Sequence, residues 1–250
     1  MSETLTEKAG RLIREASYMV ALTGAGVSTS AGIPDFRSPE SGLWNDPEKM
    51  FLFTSLGFAH NPKGFYEFGR QLLPLFLNAR PTKAHLFLAR LEEMGKLRCV
   101  ITQNIDGLHQ KAGSKRVLEV HGSLSQGRCI GCGKESLLEE MVRKIEGGEI
   151  PPLCNHCKDV LRPNIVLFGE ALPEGVFSEA EEELRHCDLL LVMGSSLVVY
   201  PVAEMPLVAL EYNARFILLN CQPIQYDSQA DVVLQTSIEE AVEKIRDLVR

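Results

Sequence analysis

Four of the seven cysteines stand in two pairs, Cys129-x-x-Cys132 and Cys154-x-x-Cys157, with 21 residues between the pairs. A turn that places two thiolates three positions apart aims both at one point, and two such turns match the four-sulfur site of a zinc ribbon. Gly133, directly after Cys132, suits that tight turn. Four unliganded thiols would crowd reactive groups for no gain, and neither pair follows a strand as a redox pair does. His156 lies inside the second pair as an alternative ligand, yet four cysteines already complete a tetrahedron. With every position filled by protein, no place is left for water or substrate, so this zinc ion is expected to hold structure and perform no chemistry. Cys99, Cys187 and Cys221 sit singly in or beside apolar runs and read as small buried hydrophobes. The odd count speaks against a disulfide framework.

A second pattern opens at Gly24 and runs through Ala25, Gly26 and Thr29 to Gly32, directly after the apolar stretch 18–23. A glycine turn between a strand and a helical start can cradle a pyrophosphate on its backbone N–H groups. The fingerprint for hydride transfer would need glycine at Thr29 and an acidic strand end about 20 residues on. Trp44, Asn45, Asp46 and Pro47 do not make such a strand end. Just downstream, Asp35, Phe36 and Arg37 put an acid, a ring and a guanidinium side by side. That set suits a phosphate beside a flat ring, with a salt-bridged surface loop as the plain alternative. His121-Gly122 ends another apolar run. Histidine titrates nearest neutrality, although in isolation this one reads as structural. His109, close to Asp106 at a helix start, is its rival; His60, His85, His156 and His186 lack a comparable setting.

The elements that must carry these groups are legible as rhythm. Apolar runs at 18–23, 99–102, 117–120, 165–168, 189–193, 216–219 and 232–234 alternate with amphipathic helical patterns at 7–17, 84–94, 174–185 and 202–212. This indicates an α/β fold, a Rossmann-like doubly wound parallel sheet covered on both faces. Two stretches break the rhythm: 38–80, rich in Pro, Phe and Gly, and 122–162, which holds both cysteine pairs and a charged helix at 137–145. The expected division is a large domain of 1–37, 81–121 and 163–250, and a small domain made of a helical module, 38–80, and a zinc-binding module, 122–162. The chain has 250 residues, 45% hydrophobic and 24% charged, with a net charge of −7. Such acidity argues against a nucleic-acid groove. No apolar run nears the ~18 residues of a membrane span and the N-terminus lacks a signal-peptide pattern, so a cytoplasmic protein without membrane contact is expected.

Taken in order, these motifs resemble the sirtuin family, in its compact bacterial and archaeal form. The resemblance rests on the run from Gly24 to Arg37, on 102–108 with Gln103, Asn104, Ile105 and Asp106, on His121-Gly122 and on the two cysteine pairs. It extends through Phe168-Gly169-Glu170 and 194–197 to Pro201, and so covers nearly the whole chain. It implies an NAD-dependent protein lysine deacylase, in which NAD is consumed in a cleft between the two domains. Gly24, Ala25, Gly26, Thr29, Asp35, Phe36 and Arg37 would form the loop over NAD. Gln103, Asn104, Ile105 and Asp106 would surround nicotinamide and its ribose. Gly194, Ser195 and Ser196 would hold the adenosine half, with Asn220, Cys221 and Ile238 nearby. Val166, Phe168, Gly169, Glu170 and Val199 would border the acyl-lysine peptide, added as a strand. By the same resemblance the acyl oxygen attacks ribose C1′, His121 is the general base and Asn104 assists, and the products are nicotinamide, O-acyl-ADP-ribose and free lysine.

Two departures from the family pattern qualify this. Asn220-Cys221-Gln222 lacks the acidic third residue of many relatives. Members that remove acidic acyl groups carry a Tyr-x-x-Arg pair in the helical module, where this chain places Gly69 and Leu72, and its Tyr66 and Arg70 are four apart. Neutral acyl groups, acetyl first, are therefore expected, on a protein that is a monomer. The competing readings are a protein mono-ADP-ribosyltransferase and a non-catalytic NAD or ADP-ribose binding module.

Overall fold

In the computed structural model, which describes residues 3–35 and 46–249, the apolar runs become strands wherever both their faces are covered. Helix α1 (Leu5–Glu15) starts at Thr4, whose hydroxyl accepts Glu7 N while Glu7 reaches back to Thr4 N. It leads into β1 (Met19–Thr23), buried at every position. Three helices follow the glycine turn: α2 (Pro47–Leu52), α3 (Ser55–His60) and α4 (Pro62–Asn78). Then come α5 (Lys83–Glu93), β2 (Leu97–Thr102), α6 (Leu108–Ala112) and β3 (Val117–Glu119). A smaller group consists of β4 (Gly122–Cys129), β5 (Glu135–Leu137), α7 (Leu138–Glu146) and β6 (Leu161–Ile165). The chain finishes with α8 (Glu174–His186), β7 (Leu189–Met193), α9 (Met205–Glu211), β8 (Arg215–Leu219), β9 (Val232–Leu234) and α10 (Ile238–Arg246).

The larger sheet has the order β3-β2-β1-β7-β8-β9, and its registered pairs are all parallel. Side chains alternate between two cores. Met19, Ala21, Leu189 and Leu191 join the layer packed under α1, α5 and α10. Val20, Leu22, Leu190 and Val192 join the layer under α8 and α9. From β1 the chain winds outward through β2 and β3, then returns to the other side of β1 as β7. The C-terminal ends of β1 and β7 are thus a topological switch point, where an α/β sheet opens a crevice.

The run at 165–168 departs from expectation. Its strand is β6, displaced to Leu161–Ile165, and it pairs antiparallel with β4 in the three-stranded sheet β5-β4-β6. Pro163, lacking an N–H, is tolerated there because β6 is an edge strand. The residues beyond it bridge instead: Val166 N donates to His121 O, and Phe168 exchanges backbone bonds with Phe53 and Ser55. Among the described residues no helix is long and apolar enough to cross a membrane.

The turns after β1 and β7 meet backbone to backbone. Gly26 N donates to Gly194 O at 2.9 Å. A Cβ on Gly194, whose φ is +62°, would lie 2.6 Å from Val27 N, and one on Gly26 would lie 2.7 Å from Gly194 Cα. Gly194→Ala should therefore destabilise the protein by ~2–3 kcal/mol in urea denaturation, from left-handed strain plus collision with main chain that has nowhere to move. Gly69→Ala in α4, where an added Cβ meets nothing within 4 Å, should stabilise it by ~0.5–1 kcal/mol. Equal midpoints for the two variants would contradict this account.

Candidate active site

A cavity of about 700 Å³ opens at the C-terminal ends of the central strands and extends toward the smaller sheet. On one side it is lined by Gly24, Ala25, Gly26, Thr29 and Asp35. Across from them stand Gly194, Ser195, Ser196 and Val199 after β7, Asn220 and Cys221 after β8, and Ile238 at the start of α10. Gln103, Asn104, Ile105 and His121 form its middle, and Val166, Phe168, Gly169 and Glu170 its far wall. Phe36 and Arg37 lie outside the described residues. Asp106 is not part of the lining; it is held one layer behind, through a residue that the sequence pattern did not single out.

That residue is Ser28. Asn104, 6% exposed, directs its side-chain Nδ2 to Gly24 O and to Ser28 Oγ, both at 3.1 Å. Ser28 passes its own proton to Asp106 Oδ2 at 2.7 Å, while Asp106 Oδ1 accepts Leu108 N at 2.9 Å. With both protons of Nδ2 engaged, Asn104 presents its amide oxygen as the remaining side-chain acceptor. Gln103 is fixed similarly, its Nε2 donating to Ser195 Oγ at 2.8 Å. The position of Ser28 inside the glycine run was its only signal in the sequence.

His121 stands where β3 gives way to β4. Its Nδ1 lies 3.1 Å from Gln103 O. A carbonyl only accepts, so this bond puts the imidazole proton on Nδ1 and the basic lone pair on Nε2. A half-buried imidazole with that tautomer, on the wall of a cavity, is equipped to receive a proton from a bound hydroxyl. Glu170, by contrast, is a clamp. Burial acts against its charge, but Arg162 and Leu167 N–H both donate to it and hold its pKa below the usual carboxylate range. Arg162 also bonds Ile165 O and lies over the Phe58 ring, which fixes the wall formed by 166–170.

The four paired cysteines converge at the base of the smaller sheet, with all their sulfurs within 4.8 Å of one another. Cys129 and Cys154 are buried, and Cys132 and Cys157 exposed. Backbone N–H groups of Cys157 and His156 hold the Cys154 thiol down at about 7, favouring the thiolate. Four sulfurs at this spacing fit a structural Zn²⁺, which these residues would hold without an open position. For the single cysteines the expectation of burial holds at Cys99 and Cys187, where desolvation pushes both thiols up to about 12. It fails at Cys221. That residue is exposed, because it lies two positions beyond the end of β8 and so at the cavity rim, outside the sheet.

The cavity also has an apolar annex that periodicity alone left undescribed. Phe65, Gly69, Leu72 and Phe76 along α4 face Met141 and Val142 of α7 across it. Tyr66, in the same helix, turns its hydroxyl to Leu161 O.

The Sir2 family model matches residues 24–201. An NAD-dependent protein deacetylase 2 of Caldanaerobacter subterraneus subsp. tengcongensis is 42% identical over 249 residues, covering 100% of this chain and 98% of its own length. An NAD-dependent protein deacylase 2 of Archaeoglobus fulgidus is 43% identical, covering 97% of this chain and 95% of its own. A Sir2 structure with a p53 peptide and NAD+ superposes with a TM-score of 0.89 at 38% identity, over 99% of this chain and 98% of that one.

The metal centre predicts a stoichiometry and a local failure. Atomic spectrometry should find one zinc per chain, and Cys132→Ala should remove it. Hydrogen exchange should then speed up in β4, β5 and β6, whose ends the cysteine turns hold, while β1, β2 and β7 keep their protection. Zinc retained in Cys132→Ala would disprove the four-sulfur assignment.

Proposed function

The chain belongs to the Sir2 family, and on that premise we propose that it is an NAD-dependent protein lysine deacylase whose general base is His121. Its large, NAD-binding unit would be 1–37, 81–121 and 163–250, with the helical and zinc modules as the small one. NAD bound in the cavity supplies an electrophilic ribose carbon and nicotinamide as the leaving group. The glycine turn and Ser195 and Ser196 bind the dinucleotide, at the switch point where such ligands sit. Asn104 orients the nicotinamide-side ribose through its amide oxygen, and the Ile105 backbone, beside Asp106 held by Ser28 and the Leu108 N–H, meets the carboxamide. The acyl-lysine peptide enters along 166–170 and Val199, and its acyl oxygen is the nucleophile. His121 Nε2 takes the proton of a ribose hydroxyl so that the acyl group can pass to that oxygen.

The observation that carries this reading is the bond from His121 Nδ1 to Gln103 O. It ties the base directly to the segment that holds Asn104, and it leaves Nε2 as the basic nitrogen.

The acyl group is neutral, and acetyl is the first choice. Gly69 and Leu72 offer an acidic acyl group nothing to bind, Tyr66 has its hydroxyl on Leu161 O, and Arg70, which also lines the cavity, has Glu67 and not tyrosine three positions before it. The protein acts on acyl-lysine proteins in the cytoplasm as a monomer, and its net charge of −7 supports a lysine-bearing partner over a nucleic acid.

Incubation with an acetyl-lysine peptide, with and without NAD, tests this by mass spectrometry. Loss of acetyl only with NAD, together with O-acetyl-ADP-ribose, is the expected result, and His121→Ala should slow it by about a hundredfold or more. A succinyl-lysine peptide should react far more slowly than the acetyl one. ADP-ribose appearing on protein with the acetyl group intact would instead establish a transferase.

A further inference from the structure

Two buried histidines lie one layer behind the cavity, outside the chemistry just described. His85 in α5 and His109 in α6 are 0% and 1% exposed, with ring centroids 4.6 Å apart. Neither serves as a proton carrier near neutral pH, because burial holds His85 down at about 4 and His109 at about 3. His109 is nevertheless bonded in a way that settles its tautomer. His85 Nδ1 meets both the backbone N of Thr82, at 3.2 Å, and the Thr82 hydroxyl, at 2.7 Å. Thr23 Oγ1 gives its proton to Thr102 Oγ1 at 2.9 Å and therefore accepts from His109 Nε2, also at 2.9 Å. The lone pair of His109 is then on Nδ1.

The two ring nitrogens left over, His85 Nε2 and His109 Nδ1, are buried and make no hydrogen bond among the described residues. A buried polar atom of this kind costs ~1–3 kcal/mol relative to an apolar replacement, so packing alone does not account for the pair. Moving the His109 proton to Nδ1 would remove the bond to Thr23.

From His109 a directional series of bonds leads into the site. His109 donates to Thr23, Thr23 donates to Thr102, and Thr102 Oγ1 also accepts Asn104 N at 3.1 Å. Asn104 in turn holds Gly24 O and Ser28, and Ser28 holds Asp106. At the other end, Thr82 Oγ1 donates to Val27 O in the glycine turn at 2.9 Å. The pair thus joins α5 and α6 to both turns that frame the nicotinamide half of the cavity.

We propose that His109 is a positioning residue for the nicotinamide end of the NAD site, acting through Thr23 and Thr102 on Asn104. The inference rests on the reading of Asn104 and Asp106 as nicotinamide-side groups. The side-chain bonds of this series reach Asn104 directly, whereas the adenosine end is linked to it only indirectly, by Ser195 through Gln103.

The test compares wild type with His109→Leu, which removes the donor, and His109→Gln, whose amide nitrogen replaces Nε2–H. Exchange of labelled nicotinamide into NAD should fall about ten- to a hundredfold per folded molecule in His109→Leu, as small displacements of a reacting group cost that much. ADP-ribose affinity should stay within about twofold in the same variant, because the series bonds Asn104 directly and the adenosine end only through Gln103 and Ser195. His109→Gln should recover most of the exchange. A purely structural role would instead lower the folded fraction and scale both readouts together. That result, or full exchange per folded molecule in His109→Leu, overturns the proposal. Should His109→Leu fail to fold, Thr23→Val tests the same series at its next member, where unchanged exchange overturns it equally. A wild type that releases no nicotinamide from NAD in the presence of acetyl-lysine peptide overturns the deacylase reading itself, a failure distinct from the loss of the positioning role.

Discussion

The contact on which the rest depends is the one between two pieces of main chain, Gly24 to Gly26 after β1 and Gly194 after β7. Adjacent parallel strands bring their ends to within a strand spacing, and a crevice opens there only if the two turns diverge in opposite directions. Here they diverge and still touch, because the three glycines leave no side chains between them. The touching backbones make the floor of the cavity rigid, and the residues at the middle of the cavity are referred to that floor. Asn104 takes its bearing from Gly24 O, Gln103 from Ser195, and His121 from Gln103 O.

A consequence is that proton positions in the site follow from carbonyls and amide N–H groups, whose roles cannot reverse. The Gln103 carbonyl settles the tautomer of His121. Hydroxyls such as Thr23, Thr102 and Ser28 transmit those choices, since each has one proton to give. The orientation needed for base catalysis is thus set by the backbone, which folding has already fixed. Electrostatic clamps act elsewhere, at the periphery, where Arg162 and Glu170 hold the far wall and the four cysteines hold the smaller sheet.

Much of this was legible in the residues. The cysteine spacing specified a four-sulfur cluster because each tight turn fixes two sulfurs locally. The alternating runs specified a parallel sheet because strands buried on both faces must be apolar throughout. The 165–168 run misled, since an apolar stretch does not reveal whether it pairs in the large sheet or bridges between modules. Cys221 misled for a related reason: proximity to an apolar strand says nothing about which side of the strand end a residue occupies. Ser28 was hidden because a serine in a glycine-rich turn is unremarkable until its partners, Asn104 and Asp106, arrive from 76 and 78 residues away.

The sequence by itself determined the chemistry available: which side chains bind metal, which histidine sits beside a flexible glycine, and which turn can approach a phosphate. These are properties of residue type and short spacing, and they survive without knowledge of long-range contacts. Only the tertiary structure decided where protons reside and which groups act together. The tautomers of His121 and His109, the bracing of Asp106 and the apolar annex between α4 and α7 all depend on partners distant in the chain. Hydrogen-bond direction is a property of a pair of atoms in space, and no local pattern encodes it.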